Sequence, residues 1–148
     1  MRVSCPAFDN GERIPRHYTA DGENVSPPLS WSDPPPGTKS IALICDDPDA
    51  PSGTFVHWLA WGISPGLREL SESVKPGARD VIQGTNGFGK IGYGGPSPPP
   101  GNPHRYFFRL YALDYEPQLK RGATRAALER AIEAHVLAEG RLMGKYGR

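Results

Sequence analysis

Residues 40 to 63 read SIALICDDPDAPSGTFVHWLAWGI, two apolar runs separated by a loop of acidic residues, prolines and glycine. The first run, SIALICD (40 to 46), has the β-branched apolar character and the length of a strand that is buried on both faces. The second run, TFVHWLAWGI (54 to 63), alternates as a strand does. One face would hold Phe55, His57, Leu59 and Trp61, and the other Val56, Trp58 and Ala60. The segment therefore predicts two successive strands joined by a stiff loop.

The rest of the chain continues this strand pattern, with one exception. RDVIQ (79 to 83), HRYFFRLYALD (104 to 114) and residues 138 to 146 have strand character, whereas the Ala-rich stretch 124 to 136 has helical spacing and an N-cap candidate in Thr124. The 18 glycines and 17 prolines indicate many turns between short strands. We expect one all-β dominated domain, residues 1 to 148, with one or two peripheral helices.

Composition excludes several classes of function. The net charge of +1 comes from interspersed acids and bases, so we expect neither a nucleic-acid surface nor a polybasic membrane patch. The N-terminus lacks the apolar segment of a signal peptide, and no apolar run is long enough for stable membrane insertion. We therefore expect a cytoplasmic location.

Cys5 and Cys45 have no metal-like spacing, which favours buried free thiols over a disulfide.

Three nucleotide-type or catalytic motifs in the sequence lack their required context. Gly87–Gly92 matches G-x-G-x-x-G and Gly84–Lys90 matches G-x-x-x-x-G-K, but the prolines that follow cannot open the helix that both motifs need. Gly62–Gly66 matches the G-x-S-x-G elbow, yet Pro65 has no N–H to donate to an oxyanion. None of the three motifs predicts its usual chemistry here.

The candidate site lies at two proline-bearing loops. His57 follows the acidic loop 46 to 53, and His104 follows the loop 94 to 103. If their strands are neighbours, the two histidines converge with Asp47 and Tyr106 on one pocket. Imidazolium and phenol donors, together with free Gly94 and Gly95 amides in an anion nest, would suit a phosphate or a carboxylate.

Other interpretations of these residues stay open. A histidine among apolar residues is often structural, and Asp-Pro and Ser-Gly are ordinary turn formers. A calcium site in the acidic loop lacks the EF-hand spacing, and a zinc site of His57, His104 and an Asp lacks diagnostic spacing. We predict no metal and no cofactor.

Several motifs together resemble the phosphatidylethanolamine-binding protein family, in particular its bacterial and archaeal Raf kinase inhibitor-like branch. They are F-x-x-G-x-x-I-P (8 to 15), DGENVSPPLSW (21 to 31), DDPDAP followed by HW, GYGGPSPPPGNPHRYFFRLYALD and HVLAEGRLMGKY (135 to 146). The resemblance covers almost the whole chain. It implies a Greek-key antiparallel β-sandwich with a small anion pocket at one end.

Carried over residue by residue, the resemblance implies a ligand-binding set without catalytic residues. The set is Asp47, Pro48, Asp49, Pro51, His57, Gly95, Pro98, Pro99, His104 and Tyr106. Family members often have a cis proline in the first loop, which would correspond to the Ala50–Pro51 bond. The departures Ala20 and Ser97, where the branch often has Cys, remove any function that rests on those thiols.

The sequence leads to three functional hypotheses. The first is a non-enzymatic module that holds a phosphate- or carboxylate-bearing ligand, or a phosphorylated or acidic segment of a protein partner. The second is a protease or kinase inhibitor that acts through a surface loop such as Ser64 to Ser71. The third is a weak hydrolase with His57 or His104 as general base. A homodimer is compatible with all three.

Overall fold

The computed structural model describes all 148 residues as two antiparallel sheets and one α-helix. The smaller sheet has the strand order β1 (Val3–Ser4), β2 (Leu29–Trp31) and β5 (Glu69–Leu70). The larger sheet has the order β6 (Ile82–Gln83), β4 (Phe55–Ile63), β3 (Ser40–Asp47), β7 (His104–Leu113) and β8 (Val136–Tyr146). The helix α1 spans Arg125–Ile132, and a 3-10 turn spans Arg16–Tyr18. The prediction of a β-dominated antiparallel fold is confirmed.

The two sheets pack face to face over the main core. Trp31 and Leu70 of the smaller sheet meet Leu43, Trp58 and Phe108 of the larger one in a single buried cluster. The other face of the larger sheet carries a smaller cluster, in which Ile44 and Trp61 pack against Leu128 of α1. All eight residues of β3 are buried, as its apolar run predicts, because both faces of this central strand are covered.

A β-bulge in β4 changes the predicted alternation of side chains. Cys45 pairs with Trp58 and Asp46 pairs with Val56, so His57 is an extra residue in the ladder. His57 and Trp58 therefore both point toward the inter-sheet side, where the His57 ring lies 5.2 Å from that of Tyr106. The prediction that His57 shares a face with Leu59 and Trp61 is wrong, because those two pack on the helix side.

The helix begins where predicted and ends early. The Thr124 hydroxyl accepts the Ala127 N–H at 3.2 Å, which confirms the N-cap. The helix ends at Ile132 instead of continuing to residue 136, because Val136 already pairs with Leu113 and opens β8. The predicted strand 79 to 83 likewise shortens to β6. No helix offers a segment that could cross a bilayer.

Both cysteines are free and buried, as predicted. Burial raises the pKa of both thiols, so neither is activated as a thiolate.

Candidate functional site

A cavity of about 140 Å³ lies at one end of the larger sheet, where β3 ends and β4 and β7 begin. The strands that carry the two histidines are not neighbours, because β3 runs between them. The histidines nevertheless converge, since Asp47 at the end of β3 lies between their strands. The cavity is lined by Asp47, Ala50, Pro51, Phe55, His57, Phe88, Ser97, Pro98, Pro99, His104 and Tyr106.

His104 is held by a buried carboxylate. Its Nδ1 lies 2.7 Å from Oδ2 of Asp47, and the two side chains are only 11% and 4% exposed. Because a carboxylate accepts, Nδ1 carries the proton and the imidazole ring is fixed in orientation. Nε2 has no partner in the protein and is not sealed from solvent, so it faces the cavity. When His104 is protonated, this atom is a hydrogen-bond donor to whatever enters the cavity.

His57, the second histidine of the cavity, is held through the same ring nitrogen. Its Nδ1 lies 2.6 Å from the Gly94 carbonyl oxygen, which can only accept, so Nδ1 carries a proton. Burial lowers the pKa of His57 below its usual value, although the Gly94 carbonyl partly opposes the shift. The ring is therefore neutral near pH 7, and its Nε2 is a hydrogen-bond acceptor that borders the cavity.

Tyr106 contributes a hydroxyl that keeps its proton. Burial raises the pKa of Tyr106 well above its usual value, and the nearby Asp47 carboxylate raises it further. The phenol is thus a donor at every physiological pH. When His104 is protonated, the cavity thus has two donors, His104 and Tyr106, and one acceptor, His57, among mostly apolar walls.

Asp49 supports the first loop instead of lining the cavity. Its carboxylate accepts the Arg105 backbone N–H at 2.9 Å and both Nε and Nη2 of the Arg105 guanidinium. These contacts lower the pKa of Asp49 to about 2. The Asp49 N–H in turn donates to Oδ1 of Asp47 at 2.7 Å. The loop is thereby fastened to the start of β7, which fixes Asp47 beneath His104.

The second loop does not offer the predicted anion nest. The Gly94 N–H donates to the His57 carbonyl at 2.9 Å, and the Gly95 N–H donates to Oδ1 of Asn24 at 2.8 Å. Both amides are consumed within the protein, so that prediction is wrong. Gly95 is required for a different reason, since a Cβ there would collide with the Tyr18 carbonyl oxygen.

Sequence reasoning also missed part of the wall. Three residues of the predicted set do not line the cavity: Pro48, Asp49 and Gly95. Four residues outside the predicted set do line it: Ala50, Phe55, Phe88 and Ser97. Alternation along β4 places Phe55 beside His57, a signal that could have found it. Phe88 had no such signal, because it arrives on a separate loop. The expected cis bond at Ala50–Pro51 is wrong, since the chain has no cis peptide bond.

Ser97, the serine that lines the cavity, is not paired with a histidine. Ser97 Oγ lies 3.3 Å from Nη2 of Arg148 and makes no hydrogen bond to either histidine. No group of three or more His, Cys, Asp or Glu side chains is arranged to hold a metal ion. The surface loop from Ser64 to Ser71, predicted to contact a protease or kinase, does not line the cavity. Leu70 of this loop is buried in β5.

These features define a class: an antiparallel β-sandwich with a small His, Asp and Tyr pocket at the end of its larger sheet. The sequence model of the family described as phosphatidylethanolamine-binding protein matches residues 4–147. The chain belongs to this family.

The comparisons with individual proteins agree over the full length. The chain is 50% identical to a UPF0098 protein of Methanothermobacter thermautotrophicus, covering 100% of this chain and 99% of that one. It is 47% identical to a UPF0098 protein of Aquifex aeolicus, covering 100% and 89%. A phosphatidylethanolamine-binding protein homologue from Chlamydia trachomatis superposes with a TM-score of 0.90 at 39% identity, covering 99% and 97% of the chains. E. coli YbcL superposes with a TM-score of 0.92 at 29% identity, covering 99% and 98%.

Proposed function

We propose that the protein is a non-enzymatic binding module whose pocket holds a phosphate- or carboxylate-bearing ligand, or a phosphorylated or acidic segment of a partner. The observation that carries the proposal is the set of three polar side chains, His57, His104 and Tyr106, at a cavity without an activated nucleophile. Family membership supports a ligand-binding or regulatory role in general.

The polarity of the three groups favours a phosphate over a carboxylate. Tyr106 donates, and so does His104 when it is protonated, so that an anionic oxygen can accept from both. The Nε2 atom of His57 is an acceptor, so the ligand must carry a proton to donate to it. A phosphate monoanion carries that proton as P–OH, whereas a carboxylate does not. The second pKa of a phosphate ester is about 6, so we expect binding to strengthen as the pH falls from 8 to 6.

Calorimetric titration of inorganic phosphate tests the proposal. Removal of a charge-assisted donor costs about 1.5–3 kcal/mol, so His104→Ala should lower the affinity about ten- to hundredfold. Tyr106→Phe, which removes only the hydroxyl, should weaken binding less. His135→Ala is the matched control, because His135 pairs with Asp114 at the far end of β7. Equal affinity in wild type and His104→Ala would contradict the proposal.

One observation favours inhibition of a protease or kinase as the alternative function. The turn at residues 64 to 68 is exposed and braced by Arg68, whose guanidinium donates to the carbonyls of Pro65 and Leu67 and to Asp33. A pre-organised loop loses little entropy when a partner binds it. Inhibition that persists in His104→Ala and disappears in Arg68→Ala would support this alternative.

A weak hydrolase is the third candidate, because the neutral His57 could accept a proton from water. Turnover of p-nitrophenyl phosphate by wild type that is lost in His57→Ala would support it. Absence of turnover would leave the binding module.

A further inference from the structure

The glycine-rich stretch 84 to 92, which matches nucleotide loops in sequence, carries an aromatic side chain to the pocket. Phe88 is 45% exposed, one of three large hydrophobic side chains that remain exposed. Its ring centroid lies 4.8 Å from that of Phe55 and 5.6 Å from that of His57. Both phenylalanines line the cavity. An aromatic pair, with Phe88 exposed and Phe55 partly buried, therefore lies beside the polar groups of the cavity.

The loop holds Phe88 in a fixed position. Asn86 is buried, and its side chain donates to the Gly92 carbonyl at 2.9 Å and accepts the N–H groups of Phe88 and Lys90. The chain turns through Gly89 at φ +76° and Gly92 at φ +109°, where a side chain would be strained. These contacts close the loop on itself, so the Phe88 ring is presented by a braced support.

Two further glycines make room for the aromatic pair. A Cβ on Gly87 would lie 2.5 Å from Cζ of Phe55, and a Cβ on Gly94 would lie 2.5 Å from Cδ2 of Phe88. The two rings are thus seated directly against bare backbone. The packing of these two rings explains why glycine is required at both positions. A phosphate bound to the loop is not needed to explain them.

We infer that Phe55 and Phe88 form an apolar lip that selects phosphate monoesters with an apolar substituent, aromatic ones above all, over inorganic phosphate. The inference rests on the proposed function, since the phosphate would contact His104 and Tyr106 while its substituent covers the lip. Pro51 and Pro99 extend the same apolar rim. Burial of the exposed Phe88 ring against the substituent supplies the selectivity.

Calorimetric titrations of inorganic phosphate, glycerol 3-phosphate and phenyl phosphate test the inference. Wild type should bind phenyl phosphate about tenfold more tightly than inorganic phosphate, from the area covered and the aromatic contact. Glycerol 3-phosphate, whose substituent is polar, should gain little. Phe88→Ala should lose most of the preference for phenyl phosphate, measured as the ratio of its affinities for phenyl phosphate and for inorganic phosphate. Phe88→Leu should keep a part of the preference.

Leu137→Ala is the matched control, because Leu137 is a similarly exposed hydrophobic residue on β8. Equal thermal unfolding of the Phe88 and Leu137 variants would establish that the loop stays folded. Unchanged phenyl phosphate affinity in Phe88→Ala, together with lost affinity in His104→Ala, would refute the lip and leave the pocket function standing. If wild type binds none of the three compounds, the proposed function and the lip are both refuted.

Discussion

Asp46→Asn should destabilise the protein by about 2–3 kcal/mol, because Asp46 is a buried carboxylate shared by two arginines. Its side chain is 2% exposed, and it accepts from Arg125 at 2.8 Å and from Arg109 at 3.2 Å. Each charge-assisted hydrogen bond contributes about 1.5–3 kcal/mol when buried. The arginine side chains are 27% and 28% exposed, so solvent screens part of the interaction. The total should stay below the roughly 3–5 kcal/mol of a fully buried pair.

Urea unfolding followed by circular dichroism measures this loss. The slope of the free energy against urea should stay constant while the midpoint falls. A domain of this size loses about 2–4 °C of melting temperature per kcal/mol, so we expect a fall of roughly 4–12 °C. Asp33→Asn is the control, because its ion pair with Arg68 is largely exposed and worth at most about 1 kcal/mol.

Two outcomes would refute this reasoning. A loss below about 0.5 kcal/mol, the level of ordinary surface substitutions, would mean that the arginines hold α1 without the carboxylate. A large loss of phosphate affinity would mean that Asp46 acts on the pocket. The structure argues against the latter, since the carboxylate points to the helix side of the sheet.

Three further predictions concern the pocket and the helix. Burial lowers the pKa of His57, so the unfolded chain binds the proton first as the pH falls. The free energy of unfolding should therefore fall below about pH 6.5, by up to about 1.4 kcal/mol per pH unit. If the free energies of unfolding of wild type and His57→Gln differ by a constant amount from about pH 7.5 to 5, this prediction is wrong. Gly95→Ala should cost about 1–3 kcal/mol in urea unfolding through overlap with the Tyr18 carbonyl, and an unchanged midpoint would disprove it. Thr124→Ala should cost about 1 kcal/mol through loss of the cap on the Ala127 N–H, whereas Thr124→Ser should retain most of it.

The strands of the larger sheet could be predicted because their signal is local. The apolar runs at 40 to 46, 54 to 63 and 104 to 114 have the length and residue types of buried strands, and the structure places strands on all three. The end of the helix could not be predicted in this way. Ala-rich spacing favours a longer helix, but pairing of Val136 with Leu113 outweighs that weak local preference.

The site could be predicted only in part, for a similar physical reason. Asp47 ends β3, and His57 and His104 lie at the starts of β4 and β7, so their convergence required only that these strand ends share one end of the sheet. The bulge at His57 and the position of Phe88 in the cavity lining depend on contacts between segments that are distant in the sequence. The hydrogen bond that makes the Gly95 N–H unavailable to a ligand could not be predicted either, because its acceptor, Asn24, lies 71 residues away along the chain.

The adjacent carboxylates Asp46 and Asp47 bear on how the sheet assembles during folding. They project to opposite sides of β3, one toward arginines and one toward an imidazole. A slip of β3 by one residue exchanges its faces and would place the Asp46 carboxylate in the apolar space of Cys45. An unpaired buried charge there is strongly unfavourable. The two acids thus disfavour misregistered pairing of the central strand, so a variant without them should populate misfolded species during refolding even where its native sheet is intact.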